Sequence, residues 1–272
     1  QREHIYFYRM YFVIEDFITD EEERELTKEI KENSKVSSRG ENNNSKWHEL
    51  HGRRVKQFGG KVDQKLTVGE QLPAFLRDII RAKLLKNERV QRAYDDMNNM
   101  NMNTNNNNNN RGNDDDDDDD DDNTKKKKKT LRLNHVLVNE YFNDCDRAMH
   151  GIRSHQDGPL YENFVLVISL EKRKKEKIVF TPHKDYAGEF DEFVVEVPRK
   201  SLFVFYGDAY DKYLHGINRD SEDEEEEDED VNERRRRISL TFRNVLNMKM
   251  ISKAILGSSL FKSSKTHAQQ PY

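Results

Sequence analysis

His155-Gln156-Asp157, followed much later by His215, is the arrangement in this 272-residue chain with the most chemical content. Two imidazoles and one carboxylate can occupy one face of an octahedral iron and leave the opposite face open for a co-substrate and oxygen. The carboxylate keeps the charge of an Fe(II) site low and the metal redox-active. Short motifs recur by chance, and a chain of this composition holds about one H-x-D at random. A second, His183-Lys184-Asp185, is indeed present. Context separates the two. Gly158-Pro159-Leu160-Tyr161 follows the first and can swing the chain away from a metal. Asn139-Glu140-Tyr141 lies upstream near the end of a β-prone run, where alternation points Asn139 and Tyr141 to one side. The rival follows Pro182 in a charged stretch without such a polar pair. His155 and Asp157 are therefore the preferred ligands, while His215 taken alone reads better as a structural histidine, and it is the sequence downstream that favours a ligand.

Downstream, Arg237-Ile238-Ser239-Leu240-Thr241-Phe242-Arg243 alternates polar and apolar residues. As a strand it places Arg237, Ser239, Thr241 and Arg243 on one face and Ile238, Leu240 and Phe242 on the other. A face with a guanidinium at each end suits a dicarboxylate, because arginine forks hold carboxylates through paired hydrogen bonds. Asn139 and Tyr141 could complete such a cradle. The same pattern also fits a half-exposed edge strand with surface arginines.

These residues need a scaffold, and the sequence sketches one. Tyr11 to Ile14 is a short β-prone run. Thr19-Asp20-Glu21-Glu22 reads as a helix start, with Thr19 as cap and Glu22 closing a capping box, and Leu26 and Ile30 follow at helical spacing. Gly52 to Gly60 looks like a strand ended by a glycine turn. Pro73 opens a second helix with Leu72, Phe75, Leu76, Ile79, Ile80 and Leu84 on its apolar side. After a low-complexity tract the pattern changes to short β-prone runs at His135 to Phe142, Phe164 to Leu170, Lys177 to Phe180, Phe193 to Val197, Ser201 to Tyr206 and Ile238 to Val245. Many short strands after two helices predict an α+β domain, a sandwich or barrel supported by N-terminal helices. No internal repeat is visible. The organisation that follows is N-terminal helices and substrate-facing elements over 1–96, a low-complexity disordered insert over 97–130, and a β core over 131–247. An acidic insert occupies 221–233 and a tail 248–272.

Composition sets further bounds. Charged residues make up 36% of the chain and hydrophobic residues 33%. Much of the charge is local, in Asp114 to Asp122, Lys125 to Lys129 and Glu222 to Asp230, blocks that cannot bury apolar surface. Setting aside their 18 carboxylates and 5 lysines leaves 42 basic and 34 acidic residues, so a net of −5 becomes +8 for the remainder. A basic body points to a polyanionic partner, although ordinary surface charge gives the same count. The single cysteine, Cys145, permits no internal disulfide and fits a reducing compartment. It reads as a thiol dispensable for metal binding. No apolar run approaches the roughly 18 to 20 residues needed to cross a bilayer. No secretory signal opens the chain, and without an initial Met the N-terminus reads as trimmed. A monomer in cytoplasm or nucleus, without membrane attachment, is expected.

In order, N-x-Y, H-x-D, a distal His and R-x-S-x-T-x-R resemble the AlkB branch of the Fe(II)- and 2-oxoglutarate-dependent dioxygenases. The resemblance runs from about Tyr11 to Val245. Asn134 to Tyr141, His155 to Tyr161, Leu214 to Ile217 and Gly52-Arg53-Arg54 to Gly60 are similar to the AlkB homolog six subfamily. The resemblance implies a double-stranded β-helix (jelly-roll) core, with Fe(II) held by His155, Asp157 and His215. It implies that Asn139, Tyr141, Arg237, Ser239, Thr241 and Arg243 hold 2-oxoglutarate. The activity it implies is oxygen-dependent oxidative demethylation of alkylated DNA or RNA. Substrate recognition falls to the N-terminal elements, where Lys46 to Lys61 is basic with interleaved aromatics. Arg53, Arg54, Lys56, Phe58 and Tyr161 are the expected substrate contacts, cations for phosphates and aromatics for base stacking. A packed hairpin with solvated cations is the competing reading of that segment. Two other functions stay open, a protein-directed dioxygenase and a non-catalytic AlkB-like nucleic-acid-binding module.

Overall fold

The computed structural model describes residues 10–32, 47–50, 53–62, 68–109, 129–142, 151–170, 175–217 and 236–250. In chain order the elements are β1 (Tyr11–Ile14), α1 (Asp20–Glu32), β2 (His48–Leu50), β3 (Arg53–Phe58), β4 (Gly60–Lys61) and β5 (Val68–Gly69). Then come α2 (Ala74–Ile79), which continues as a π-helical turn over Ile80–Leu84, α3 (Glu88–Asn109), β6 (His135–Phe142), β7 (Ile152–His155) and β8 (Phe164–Leu170). The chain goes on through β9 (Lys175–Pro182), β10 (Phe193–Pro198), β11 (Leu202–Tyr206), α4 (Asp208–Asp211), β12 (Tyr213–Ile217), β13 (Arg236–Arg243) and β14 (Lys249–Met250).

Seven strands form a major sheet in the order β1-β11-β8-β13-β6-β3-β2, and four form a minor sheet in the order β10-β9-β12-β7. All pairings within these two sheets are antiparallel. The inner layer between them is largely aromatic. Phe180, Val195 and Ile217 of the minor sheet meet Tyr141, Val167, Phe203 and Phe205 of the major one. The outer face of the major sheet, with Val136, Val138, Leu166, Ile168, Ile238, Leu240 and Phe242, packs with Leu26 and Ile30 of α1, Leu76 of α2 and Tyr94 of α3. β8 lies between β11 and β13 with a core on each side, and its sequence FVLVISL, apolar except for Ser169, is buried throughout. This is the helix-supported jelly-roll that the sequence predicts.

Local signals translate directly at several points. At the start of α1 the Thr19 N–H donates to the Glu22 carboxylate at 2.8 Å, and the Glu22 N–H donates to Thr19 Oγ1 at 3.2 Å. This reciprocal pair satisfies donors that the first helical turn cannot satisfy itself. β3 ends where Gly59 and Gly60 adopt φ of 92° and 119°. A Cβ on Gly59 would sit 2.1 Å from the Asn134 carbonyl oxygen, so only glycine lets the chain turn there.

Three differences from the sequence reading have physical causes. Helix α3 was not expected, and it carries on from Glu88 through Asn109, past the Met97 boundary of the low-complexity tract. Its apolar anchors Val90, Ala93, Tyr94 and Met97 recur at helical spacing amid polar residues and pack on the core. Strands β7 and β12, neither expected, are short, and each places a histidine and an isoleucine on the cavity described below. Finally, β14 pairs parallel with β5, so ordered pairing extends past residue 247 into the segment read as a tail. Cys145, residues 110–128 and the acidic block from Glu222 to Asp230 lie outside the described residues. Among the described residues no helix is long and apolar enough to cross a membrane.

The packing of β3 yields a test. Phe58 is 8% exposed and meets Phe75 edge-to-face with ring centroids 5.8 Å apart. Phe58→Ala is expected to destabilise the protein by about 3–5 kcal/mol, as large-to-small core substitutions do. Urea unfolding measures this, and a loss below about 1 kcal/mol would show that the ring is not a core residue.

Candidate active site

Antiparallel pairing of β12 with β7 sets His215 directly opposite His155, with ring centroids 4.5 Å apart. Asp157 follows two residues past the end of β7. The ligand atoms of the three side chains all lie within 4.8 Å of one another, and among the described residues this is the one such group. A carbonyl can only accept, so the 2.9 Å contact of His155 Nδ1 with Arg153 O puts the ring proton on Nδ1 and leaves Nε2 free to ligate. Asp157 Oδ1 accepts from Arg243 Nη2 at 3.0 Å, while its buried Oδ2 has no hydrogen-bond partner. An acceptor left open beside two imidazoles is what a divalent cation requires, so the residues fit Fe(II). The rival pair, His183 and Asp185, does not line the cavity that His155 and His215 share. His183 Nδ1 lies 3.2 Å from an exposed Asp185 at a short surface turn.

The loop carrying Asp157 is held from outside. Gln156 Nε2 donates to the carbonyls of Tyr210 and Asp211 at 3.2 and 2.7 Å, and the Tyr210 hydroxyl donates to Gly158 O at 3.1 Å. The sequence reading missed Gln156 and Tyr210 as supports. A glutamine between two ligands was the available signal, but its partners on α4 are decided by tertiary packing.

The expected co-substrate residues converge. In the register of β6 and β13, Tyr141 stands opposite Arg237 and Asn139 opposite Ser239. All six residues, Asn139, Tyr141, Arg237, Ser239, Thr241 and Arg243, line one cavity with His155 and His215. Phe203, Phe205, Val167 and Ile178 supply apolar wall. Arg237 Nε and Nη1, Arg243 Nε and Asn139 Oδ1 are buried without hydrogen-bond partners. Arg237 Nη1 and Arg243 Nε, guanidinium donors left without a hydrogen bond in one apolar-walled cavity, fit a bound carboxylate ligand. Burial raises the Tyr141 hydroxyl above its usual range, Arg237 and Arg53 pull it down, Glu176 pushes it up and a hydrogen bond with Ser239 lowers it.

The expected substrate contacts divide. Alternation along β3 turns Arg53 into the cavity, beside Tyr141. It turns Arg54, Lys56 and Phe58 to the opposite face, and none of the three lines the cavity. Arg54 pairs with buried Glu140 and lies 4.5 Å from the centroid of Trp47. Lys56 is fully buried, 4.9 Å over the Phe58 ring, and burial pushes its pKa down to about 8. The competing picture of a packed hairpin thus describes these three better, although Lys56 is buried rather than solvated. Tyr161 covers the Arg243 guanidinium at 4.7 Å and leans on His135 at 5.9 Å. It supports the arginine that holds Asp157.

A family model described as the 2OG-Fe(II) oxygenase superfamily matches residues 11–243. The chain belongs to that superfamily. It is a 2OG-Fe(II) oxygenase, an oxidoreductase of a family that uses Fe(II), 2-oxoglutarate and molecular oxygen. It is 27% identical over 218 residues to a Danio rerio protein named probable RNA/DNA demethylase ALKBH6, covering 78% of this chain and 70% of that one. Among solved structures, OsALKBH1 matches 86% of this chain and 98% of its own at 13% identity and a TM-score of 0.45. A Trichoplax adhaerens prolyl hydroxylase, solved with a hypoxia inducible factor oxygen degradation domain peptide fragment, matches 87% of this oxygenase and 84% of its own chain. Its identity is 12% and its TM-score 0.42.

Two histidines, the buried His135 and the half-buried His215, predict how the metal-free oxygenase responds to acid. Burial, aided by Arg243, pushes His135 down to about 3. Burial also pushes His215 down to about 4, with Asp157 acting against it and His155 and Arg243 with it. Below about pH 6.5 the unfolded chain takes up protons that the folded one refuses. Stability is therefore complete above that pH and is lost as pH falls towards the folded values, by up to about 1.4 kcal/mol per unit for each histidine. Urea midpoints between pH 7 and 5 are expected to fall, and less steeply in His135→Leu. Parallel profiles for the two proteins would show that His135 contributes nothing.

Proposed function

We propose that this oxygenase removes N-alkyl groups from nucleic-acid bases by oxidation, releasing the alkyl carbon as an aldehyde. The observation that carries the reading is the His155, Asp157 and His215 group opening into a cavity lined by Arg237, Arg243, Asn139 and Tyr141. When bound, Fe(II) with 2-oxoglutarate and oxygen supplies the oxidising power for a carbon–hydrogen bond. The chain's own residues do the rest. His155, Asp157 and His215 hold the metal, and Arg243 keeps Asp157 oriented. Arg237, Ser239, Thr241, Asn139 and Tyr141 position the co-substrate. Phe203, Phe205 and Val167 exclude water from one side. The nucleic-acid preference is supported by the relative named as a probable RNA/DNA demethylase and by the net charge of +8 outside the low-complexity blocks. A base would have to leave its stack to enter the cavity that His155 and His215 line, which favours single-stranded or mispaired substrate.

Formaldehyde release across N-methylated single-stranded DNA, RNA and peptides tests the reading. Release from an oligonucleotide is expected, together with succinate. His155→Ala and Asp157→Ala are expected to abolish both products while keeping the circular dichroism of the wild type, and His183→Ala to keep full turnover. Release from methylated peptide alone would move the substrate class to protein. Absence of 2-oxoglutarate turnover by the iron-loaded protein would leave only a binding module.

A further inference from the structure

Three strands lay a lateral row of cavity residues at one end of the site. Arg53 on β3 stands opposite Tyr141 on β6, which stands opposite Arg237 on β13. All three line the cavity, and the Arg237 guanidinium lies 5.2 Å from the centroid of the Tyr141 ring. Glu176 reaches across from the minor sheet to within 3.5 Å of Arg237 Nε, and the two side chains are only 3% and 2% exposed. Arginine stays protonated at any working pH. A carboxylate at that distance cancels its charge as seen by an incoming anion. If Arg237 alone received the distal carboxylate of 2-oxoglutarate, two carboxylates would share one guanidinium in a low-dielectric pocket, a repulsive arrangement. Arg53 removes the deficit. Its Nε is buried without a hydrogen-bond partner, and it brings the row to two guanidinium groups against one resident carboxylate.

We propose that Arg53 is a second anchoring cation for the distal carboxylate of 2-oxoglutarate, needed because Glu176 already engages Arg237. This rests on the reading of the cavity as the 2-oxoglutarate site. It assigns Arg53 to the co-substrate rather than to nucleic acid, and it makes Glu176 a setter of co-substrate affinity.

Calorimetry on the full chain loaded with Mn(II) tests it, with 2-oxoglutarate and with 2-oxopentanoate, which has a methyl group in place of the distal carboxylate. Arg53→Met is expected to weaken 2-oxoglutarate binding by about tenfold or more, the scale of one lost charge-assisted contact. Binding of 2-oxopentanoate should change less than about twofold. Glu176→Gln is expected to tighten 2-oxoglutarate binding, and the double variant to return towards the wild-type affinity. A purely structural role for either residue moves both ligands together. The inference is overturned if Arg53→Met binds 2-oxoglutarate as the wild type does, if both ligands weaken equally, or if Glu176→Gln weakens 2-oxoglutarate. It is also overturned if Arg53→Met loses affinity for an alkylated oligonucleotide while keeping 2-oxoglutarate. Failure of the wild type itself to bind 2-oxoglutarate would remove the underlying reading of the cavity instead.

Discussion

The contact between Arg243 and Asp157 is the constraint from which the rest of the site follows. It joins the last residue of a major-sheet strand to a loop leaving the minor sheet, with both side chains under 10% exposed. Removing one partner of a buried pair strands an uncompensated charge, at a cost of about 3–5 kcal/mol. The carboxylate is therefore held in one place, with one oxygen bound to the guanidinium and the other facing the two imidazoles. Tyr161 covers the guanidinium, and Gln156 and Tyr210 hold the loop from the α4 side. Each of these contacts restricts where Asp157 can go before any metal arrives.

A second cross-sheet contact, Arg237 with Glu176, lies at the other end of the same strand. β13 thus ties the two sheets together at both ends of its polar face, and the cavity occupies the space between. Its apolar face, Ile238, Leu240 and Phe242, is buried under the helices, so the strand cannot slip by one residue without exposing its core side. The register that protects the core is the register that aims both arginines. Behind the sheet, Glu162 accepts hydrogen bonds from Tyr94 of α3 at 3.0 Å and from Asn244 at 2.9 Å. These bonds pin the helix to the segment just after β13.

Legibility in the sequence followed the range of the interactions involved. The Thr19 cap, the apolar face of α2, the glycine turn after β3 and the alternation of β13 all depend on neighbours a few residues away. A chain read one segment at a time contains that information. Strands β7 and β12 did not announce themselves. Each supplies one histidine of the metal group from a run of only four or five residues, without the sustained alternation that marks a strand. Arg53, Arg54, Lys56 and Phe58 show the opposite limit. Their composition suggested one cationic surface, but strand alternation sends Arg53 into the cavity and the other three to the helix side.

The sequence by itself determined the residue types of the metal group, the polar face that accompanies it and the class of fold that carries them. It could do so because N-x-Y and R-x-S-x-T-x-R are local patterns whose alternation survives in any strand that contains them, and H-x-D is a local spacing at a strand end. Only the tertiary structure decided that His215 lies beside His155, that Asp157 shares its charge with Arg243, and that Glu176 reaches Arg237. Those are meetings between segments far apart in the chain, fixed by strand order and by how two sheets face one another. No spacing within a single segment encodes them.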